Sequence, residues 1–197
     1  MTAESDKGRR AAGPEDDAAG GFAAVDVAYL PSGGARAAIV IAATARFAAV
    51  LTERTADLPD VAPYFPGQFF LRELPPLRAV LRGAGQLRLI IVDGYVDLDP
   101  DGRPGLGAHV HQELAIPVIG VAKTSFRTAT HAIPVYRGGS TRPLYVTAAG
   151  LPPSDAANLI SKMSGTHRLP DALRRVDALT RGARPRWVNG GRGEGGT

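Results

Sequence analysis

Two apolar runs limit what this chain can fold into. Leu87-Arg88-Leu89-Ile90-Ile91-Val92 ends in Asp93-Gly94, and Ile116-Pro117-Val118-Ile119-Gly120-Val121-Ala122 ends in Lys123. Each reads as a strand buried on both faces of a sheet, because neither alternates polar with apolar residues. Between them lie an acidic, Gly/Pro-rich loop, Tyr95 to Pro104, and a short stretch of helical spacing, Leu106 to Leu114. Strand, helix and strand in that order predict a βαβ unit and hence an α/β domain.

The flanking sequence fills in the rest. Phe22 to Tyr29 reads as a first strand, followed by the turn signal Pro31-Ser32-Gly33-Gly34. Arg36 to Thr44 and Phe47 to Thr52 read as two more strands, so the chain opens on an antiparallel meander. The many alanines pull the other way, since Ala prefers helix. Asp57 to Gly67 is a Pro-rich loop. Gln68 to Leu81 has helical spacing, with Pro75-Pro76 expected to bend or restart the helix. Ile133 to Tyr136 and Leu144 to Thr147 form a hairpin around Arg137-Gly138-Gly139-Ser140. Ser154 to Met163 and Asp171 to Leu179 are helices, the last one amphipathic. Residues 1–20 and 183–197 read as tails, the first disordered and the second Arg/Gly-rich, around one domain at 21–182. Three meandering strands followed by βαβ units predict a ribonuclease H-like fold, with a mixed central sheet and flanking helices.

Composition narrows the chemistry. The 197 residues include no cysteine, which excludes disulfides, thiolate metal sites and a thiol nucleophile. Apolar runs stop well short of a membrane span, and no apolar signal core opens the chain. A cytoplasmic monomer without a membrane partner is expected. The net charge of +4 suits a phosphate backbone as partner.

Three acids stand inside apolar elements: Asp26 in the first strand, Glu73 in the helical stretch after the Pro-rich loop, and Asp93 at the end of the fourth strand. A charge beside a core is costly unless it is paired or binds a cation. In a ribonuclease H-like fold a first-strand acid, a following-helix acid and a fourth-strand acid converge at one end of the sheet. These three occupy those positions. Clustered carboxylates repel one another unless a cation neutralises them, and an all-oxygen ligand set points to magnesium, with manganese as substitute. Such ions activate water for in-line phosphodiester hydrolysis. Each acid taken singly has a structural alternative; Asp93 before Gly94, for example, also suits a turn cap. Lys123, at the exit of a buried strand, is placed to touch a phosphate or to be a solvated strand end. Tyr64 and Phe65, between Pro63 and Pro66, form a stiff apolar tip suited to wedging between bases or to packing on the core.

Together these segments resemble the endonuclease V family. The resemblance runs from about Phe22 to Arg181. It rests on Val25-Asp26-Val27-Ala28-Tyr29, on Pro63-Tyr64-Phe65-Pro66-Gly67 through Phe70-Leu71-Arg72-Glu73, on Val92-Asp93-Gly94, and on Gly120-Val121-Ala122-Lys123. It implies magnesium-dependent cleavage of a nucleic-acid strand at the second phosphodiester 3′ to hypoxanthine, a DNA repair reaction. It further implies Asp26, Glu73 and Asp93 as metal ligands, Lys123 as a phosphate-contacting catalytic residue, and the tip of Tyr64, Phe65, Pro66 and Gly67 as a substrate-binding wedge. The lesion base would enter a pocket near Gly94.

The chain also departs from the family. The His-Pro-Arg stretch expected after Asp-Gly is replaced by Tyr95-Val96-Asp97-Leu98-Asp99-Pro100-Asp101-Gly102-Arg103-Pro104. The Gly-His-Arg expected after the late strand is absent, since Tyr145-Val146-Thr147-Ala148-Ala149-Gly150-Leu151 holds no histidine. Asp155 is a candidate replacement ligand, or else a first-turn helix acid favoured by the dipole. His109 and His111 read as surface or packing residues. Alternatives are a non-catalytic nucleic-acid-binding homologue, or a structure-specific ribonuclease H-like nuclease without inosine preference. DNA and RNA both remain open as the substrate.

Overall fold

The computed structural model describes residues 20–63, 65 and 68–185. The expected tails therefore fall largely outside the described residues, as do Tyr64, Pro66 and Gly67. Among the described residues one seven-stranded sheet forms the centre, in the order β3-β2-β1-β4-β5-β7-β6. Its strands are β1 Gly21–Tyr29, β2 Ala35–Ala42, β3 Val50–Leu58, β4 Leu87–Asp93, β5 Val118–Ala122, β6 Ile133–Val135 and β7 Leu144–Ala149. The meander β1-β2-β3 is antiparallel; β1, β4 and β5 are parallel; β7 runs antiparallel to β5, and β6 to β7. Four helices flank it: α1 Phe70–Leu81, α2 Leu106–Leu114, α3 Pro153–Lys162 and α4 Asp171–Thr180. This is the mixed, ribonuclease H-like arrangement that the element order predicts.

Both faces of the sheet are covered, which explains the unbroken apolar runs. On one face Ala23, Val25, Ile39, Ile90 and Val92 pack with Leu77 and Val80 of α1 and Val110 of α2. On the other, Phe22, Ala24, Leu89, Ile91, Ile119 and Val121 pack with Ile160 of α3 and Leu173, Val176 and Leu179 of α4. Ala23, Ala24, Ala37 and Ala38 are wholly buried strand residues. Their helix preference is worth a fraction of a kcal/mol each and yields to tertiary packing.

Two expectations change. The third strand lies at Val50–Leu58 rather than Phe47–Thr52, and the Pro-rich loop starts later. Phe47 instead turns the chain, with φ of 55° and its ring buried. The strand was hard to see because Thr52-Glu53-Arg54-Thr55 is polar; it is an edge strand, paired with β2 alone. The helix also runs through Pro75 and Pro76 as one element. Each proline removes one helical N–H, freeing the carbonyls of Leu71 and Arg72, and Leu71 is exposed, so solvent can take up the loss.

The β6–β7 hairpin forms as expected, but Arg137 in its turn is buried. Its guanidinium donates to the carbonyls of Ile160, Ser161, Met163 and Gly165, closing the carboxyl end of α3. No helix among the described residues is long and apolar enough to cross a membrane.

Candidate active site

Strand parity aims the acids. Phe22 and Ala24 of β1 face α4, so Asp26, two residues on, does too. Leu89 and Ile91 of β4 likewise set Asp93, and Ile119 and Val121 of β5 set Lys123. Val25 pairs with Val92 in the parallel ladder, so Asp26 and Asp93 leave adjacent strands at the same level. Glu73 arrives from α1 on the opposite face and is buried at the same end.

These groups lie close enough for their charges to act on one another. Lys123 Nζ lies 2.5 Å from Asp93 Oδ2 and 3.8 Å from Asp177 Oδ1. The amide of Val27 donates to Asp26 Oδ1 at 2.8 Å. Burial, then the Asp93 charge, pushes the Asp26 carboxyl up to about 6. Burial pushes Glu73 up to about 8, with the charges of Asp26 and Asp93 adding to it and Arg72 opposing. Burial pulls the Lys123 ammonium down, but the hydrogen bond and charge of Asp93, backed by Asp26 and Asp177, hold it above its ordinary value.

Asp177 is a further acid at this edge of the sheet, one that sequence reading missed. It sits on α4 and contributes to the raised affinity of Asp26 for its proton. Its carboxylate also accepts from Arg181 at 3.0 Å. The signal was faint: Val176 and Leu179 are the buried face of this helix, and an acid beside them reads as ordinary amphipathic patterning.

The donor set fits a hard divalent cation in kind: carboxylates only, partly desolvated and mutually repelling. Among the described residues, however, no three acid or histidine side chains already stand together as a ligand set. Electrostatic coupling acts over longer range than ligation, so the two observations are compatible. The acids share one edge without converging on a point, and the cation held among them is the Lys123 ammonium.

Two side chains fix the backbone around Lys123. Arg168 donates to the carbonyls of Lys123 and of Pro143 in the β6–β7 turn. The Tyr95 hydroxyl donates to the Thr124 carbonyl at 2.8 Å and accepts from the Phe126 amide at 3.0 Å.

Beside Glu73 and Asp93 opens a cleft of about 360 Å³, walled by Phe69, Phe70, Tyr95, Leu98, Leu106 and Phe126 and floored by Gly94. Gly94 has a φ of 131°, a conformation that L side chains rarely adopt. Behind it, Gly120 leaves room for the turn, since a Cβ there would stand 2.7 Å from the Gly94 carbonyl and from the Val96 amide. A groove of about 340 Å³ between α1 and α2 includes none of Asp26, Glu73, Asp93 or Lys123.

Other candidates fall elsewhere. Asp155 is exposed on α3 and lines a hollow with Arg46, Asn158 and Lys162. It lies at the far end of the sheet, because β7 runs antiparallel to β5 and delivers α3 away from the acids. It is not a neighbour of the cluster. His109 stacks on Phe70 with ring centroids 3.7 Å apart, and His111 bonds the Ile116 carbonyl at 2.7 Å. Phe65 is half exposed; Tyr64, Pro66 and Gly67 lie outside the described residues.

Comparison with known proteins gives consistent likenesses. The family model for endonuclease V matches residues 10–151. Endonuclease V of Streptomyces coelicolor is 34% identical over 181 residues, spanning 81% of this chain and 77% of that protein. The crystal structure of endonuclease V from Streptomyces avermitilis superposes with a TM-score of 0.71 at 28% identity, covering 85% of this chain and 82% of that one. Endonuclease V of Ciona intestinalis, in complex with an inosine-containing DNA, shares the fold at 17% identity with a TM-score of 0.65, covering 82% and 83%.

Proposed function

Since this chain belongs to the endonuclease V family and is an endonuclease, we propose that it hydrolyses the second phosphodiester 3′ to a hypoxanthine nucleotide in DNA or RNA, as a cytoplasmic monomer in repair. The observation that carries this reading is that Asp26, Glu73, Asp93 and Asp177 share one edge of the sheet with Lys123, beside an apolar cleft. Asp26, Glu73 and Asp93 would hold magnesium or manganese, with Asp177 as the fourth carboxylate. A divalent cation there supplies Lewis acidity at the phosphoryl oxygen and acidifies a water.

The remaining work falls to the chain's own groups. The cleft over Gly94 takes the extruded base, its aromatic walls offering stacking surface. Phe65, with the neighbouring Tyr64, Pro66 and Gly67, fills the gap the base leaves in the stack. Lys123 contacts the scissile phosphate and offsets its charge. Glu73, buried on α1, stays neutral until a cation favours its ionised form.

The test is a nicking assay with magnesium on a single-inosine duplex, its RNA counterpart and an inosine-free branched duplex. Cleavage of an inosine strand, absent in Asp93→Asn, supports the reading. Equal cleavage of the inosine-free branched substrate favours a structure-specific nuclease whose base preference was lost with the altered 95–104 loop.

A further inference from the structure

The Lys123 ammonium stands where a cation is needed, 2.5 Å from Asp93 Oδ2 and 3.8 Å from Asp177 Oδ1. We propose that Lys123 is the resident counter-ion of the metal-free site, and that a divalent cation binds by taking its place on Asp93, which turns the ammonium out toward the substrate phosphate. This inference rests on the divalent-cation reading of the same site.

Three observations carry it. First, among the described residues the acids are not yet gathered into a ligand set, while one ammonium already bridges Asp93 of β4 and Asp177 of α4. Second, an ammonium and a divalent cation drawn to one carboxylate repel each other, so Lys123 and the metal compete for Asp93. Third, the local construction lets the head of the side chain move while its root stays fixed. Arg168 holds the Lys123 carbonyl and Tyr95 holds the Thr124 carbonyl. A lysine suits the role because its charge rides on a flexible four-carbon stem, unlike the planar fork of arginine. The side chain is about a third exposed, so an outward path exists. One lysine thereby serves two states: it neutralises the empty acids, and it reaches the strand once a metal ion has displaced it. Metal then binds before the strand is engaged by Lys123.

The test uses the full chain without nucleic acid. Manganese is titrated calorimetrically into wild type, Lys123→Met and Lys123→Arg. Lys123→Met should bind manganese at least about tenfold tighter than wild type, and Lys123→Arg should stay near wild type. An equal or weaker affinity in Lys123→Met overturns the proposal while leaving a metal-dependent nuclease intact. Absence of manganese uptake by wild type as well overturns both. A second measurement needs no variant. The chain has three lysines, Lys7, Lys123 and Lys162, so side-chain resonances of wild type are readily assigned. Saturating magnesium should shift the Lys123 signal and spare the other two. Metal binding with an unmoved Lys123 signal contradicts the displacement.

Discussion

Arg175 of α4 grips Glu53 of β3 through two hydrogen bonds, at 2.8 and 2.6 Å, across 122 positions of sequence. The Glu53 side chain is only 4% exposed. The pair ties the edge strand to the helix, and two residues along that helix Asp177 faces the acids. Removing one partner strands a buried charge, so Arg175→Met should destabilise the fold by about 3 kcal/mol in urea unfolding. Manganese affinity should fall with it, because the clamp sets the position of the helix that carries Asp177.

Asp177→Asn keeps the shape of the side chain and removes its charge. Nicking should fall by roughly ten- to a hundredfold, by the measure of groups that support a metal site. The melting temperature of the metal-free protein should hold or rise, since one of four repelling carboxylates is gone. A loss of nicking traced to unfolding, visible in circular dichroism, would contradict this.

The pH dependence of stability follows from the raised acids. Folded Glu73 binds its proton up to about 8 and Asp26 up to about 6, against ordinary values of 4.5 and 3.8. The folded state thus holds more protons than the unfolded one between these limits, and stability falls as pH rises through that window. Metal-free protein should lose on the order of a few kcal/mol between about pH 5 and about pH 8.5, most of it through Glu73. Glu73→Gln should flatten the slope in thermal melts, and magnesium should offset it in wild type.

Much of this site was legible in the sequence, and the reasons are physical. Asp93 and Lys123 each end an apolar run and Asp26 interrupts one, where a polar group is conspicuous, and Glu73 lies among apolar residues of α1. The β3 strand was displaced because Glu53 and Arg54 look like loop residues until their partners on α4 and α1 are known. Asp177 was overlooked for the same reason, as its role depends on which way a late helix faces. Asp155 was drawn toward the site by proximity to β7 in sequence, and the antiparallel run of that strand carries it to the other end. Prolines 75 and 76 suggested a bend or a restart, and the helix continues through them as one element with Pro76 and Leu77 buried.

Gly120 offers a test of how tightly the turn after Asp93 is built. A Cβ there would meet the Gly94 carbonyl, the Val96 amide and the Thr147 hydroxyl, all within 2.8 Å. Gly120→Ala should cost about 1–3 kcal/mol by overpacking and lower nicking by shifting Asp93. Chemical denaturation together with the nicking assay would show both effects; an unchanged protein would mean the turn is looser than its contacts suggest.

The most direct test of whether these acids gather around a metal ion is anomalous diffraction from crystals grown with manganese. The account predicts a peak within ligand distance of Asp26 and Asp93, with Glu73 in its shell and the Lys123 ammonium moved off Asp93. A crystal with no peak at this edge of the sheet, or with manganese bound elsewhere while the Lys123–Asp93 pair persists, would contradict it.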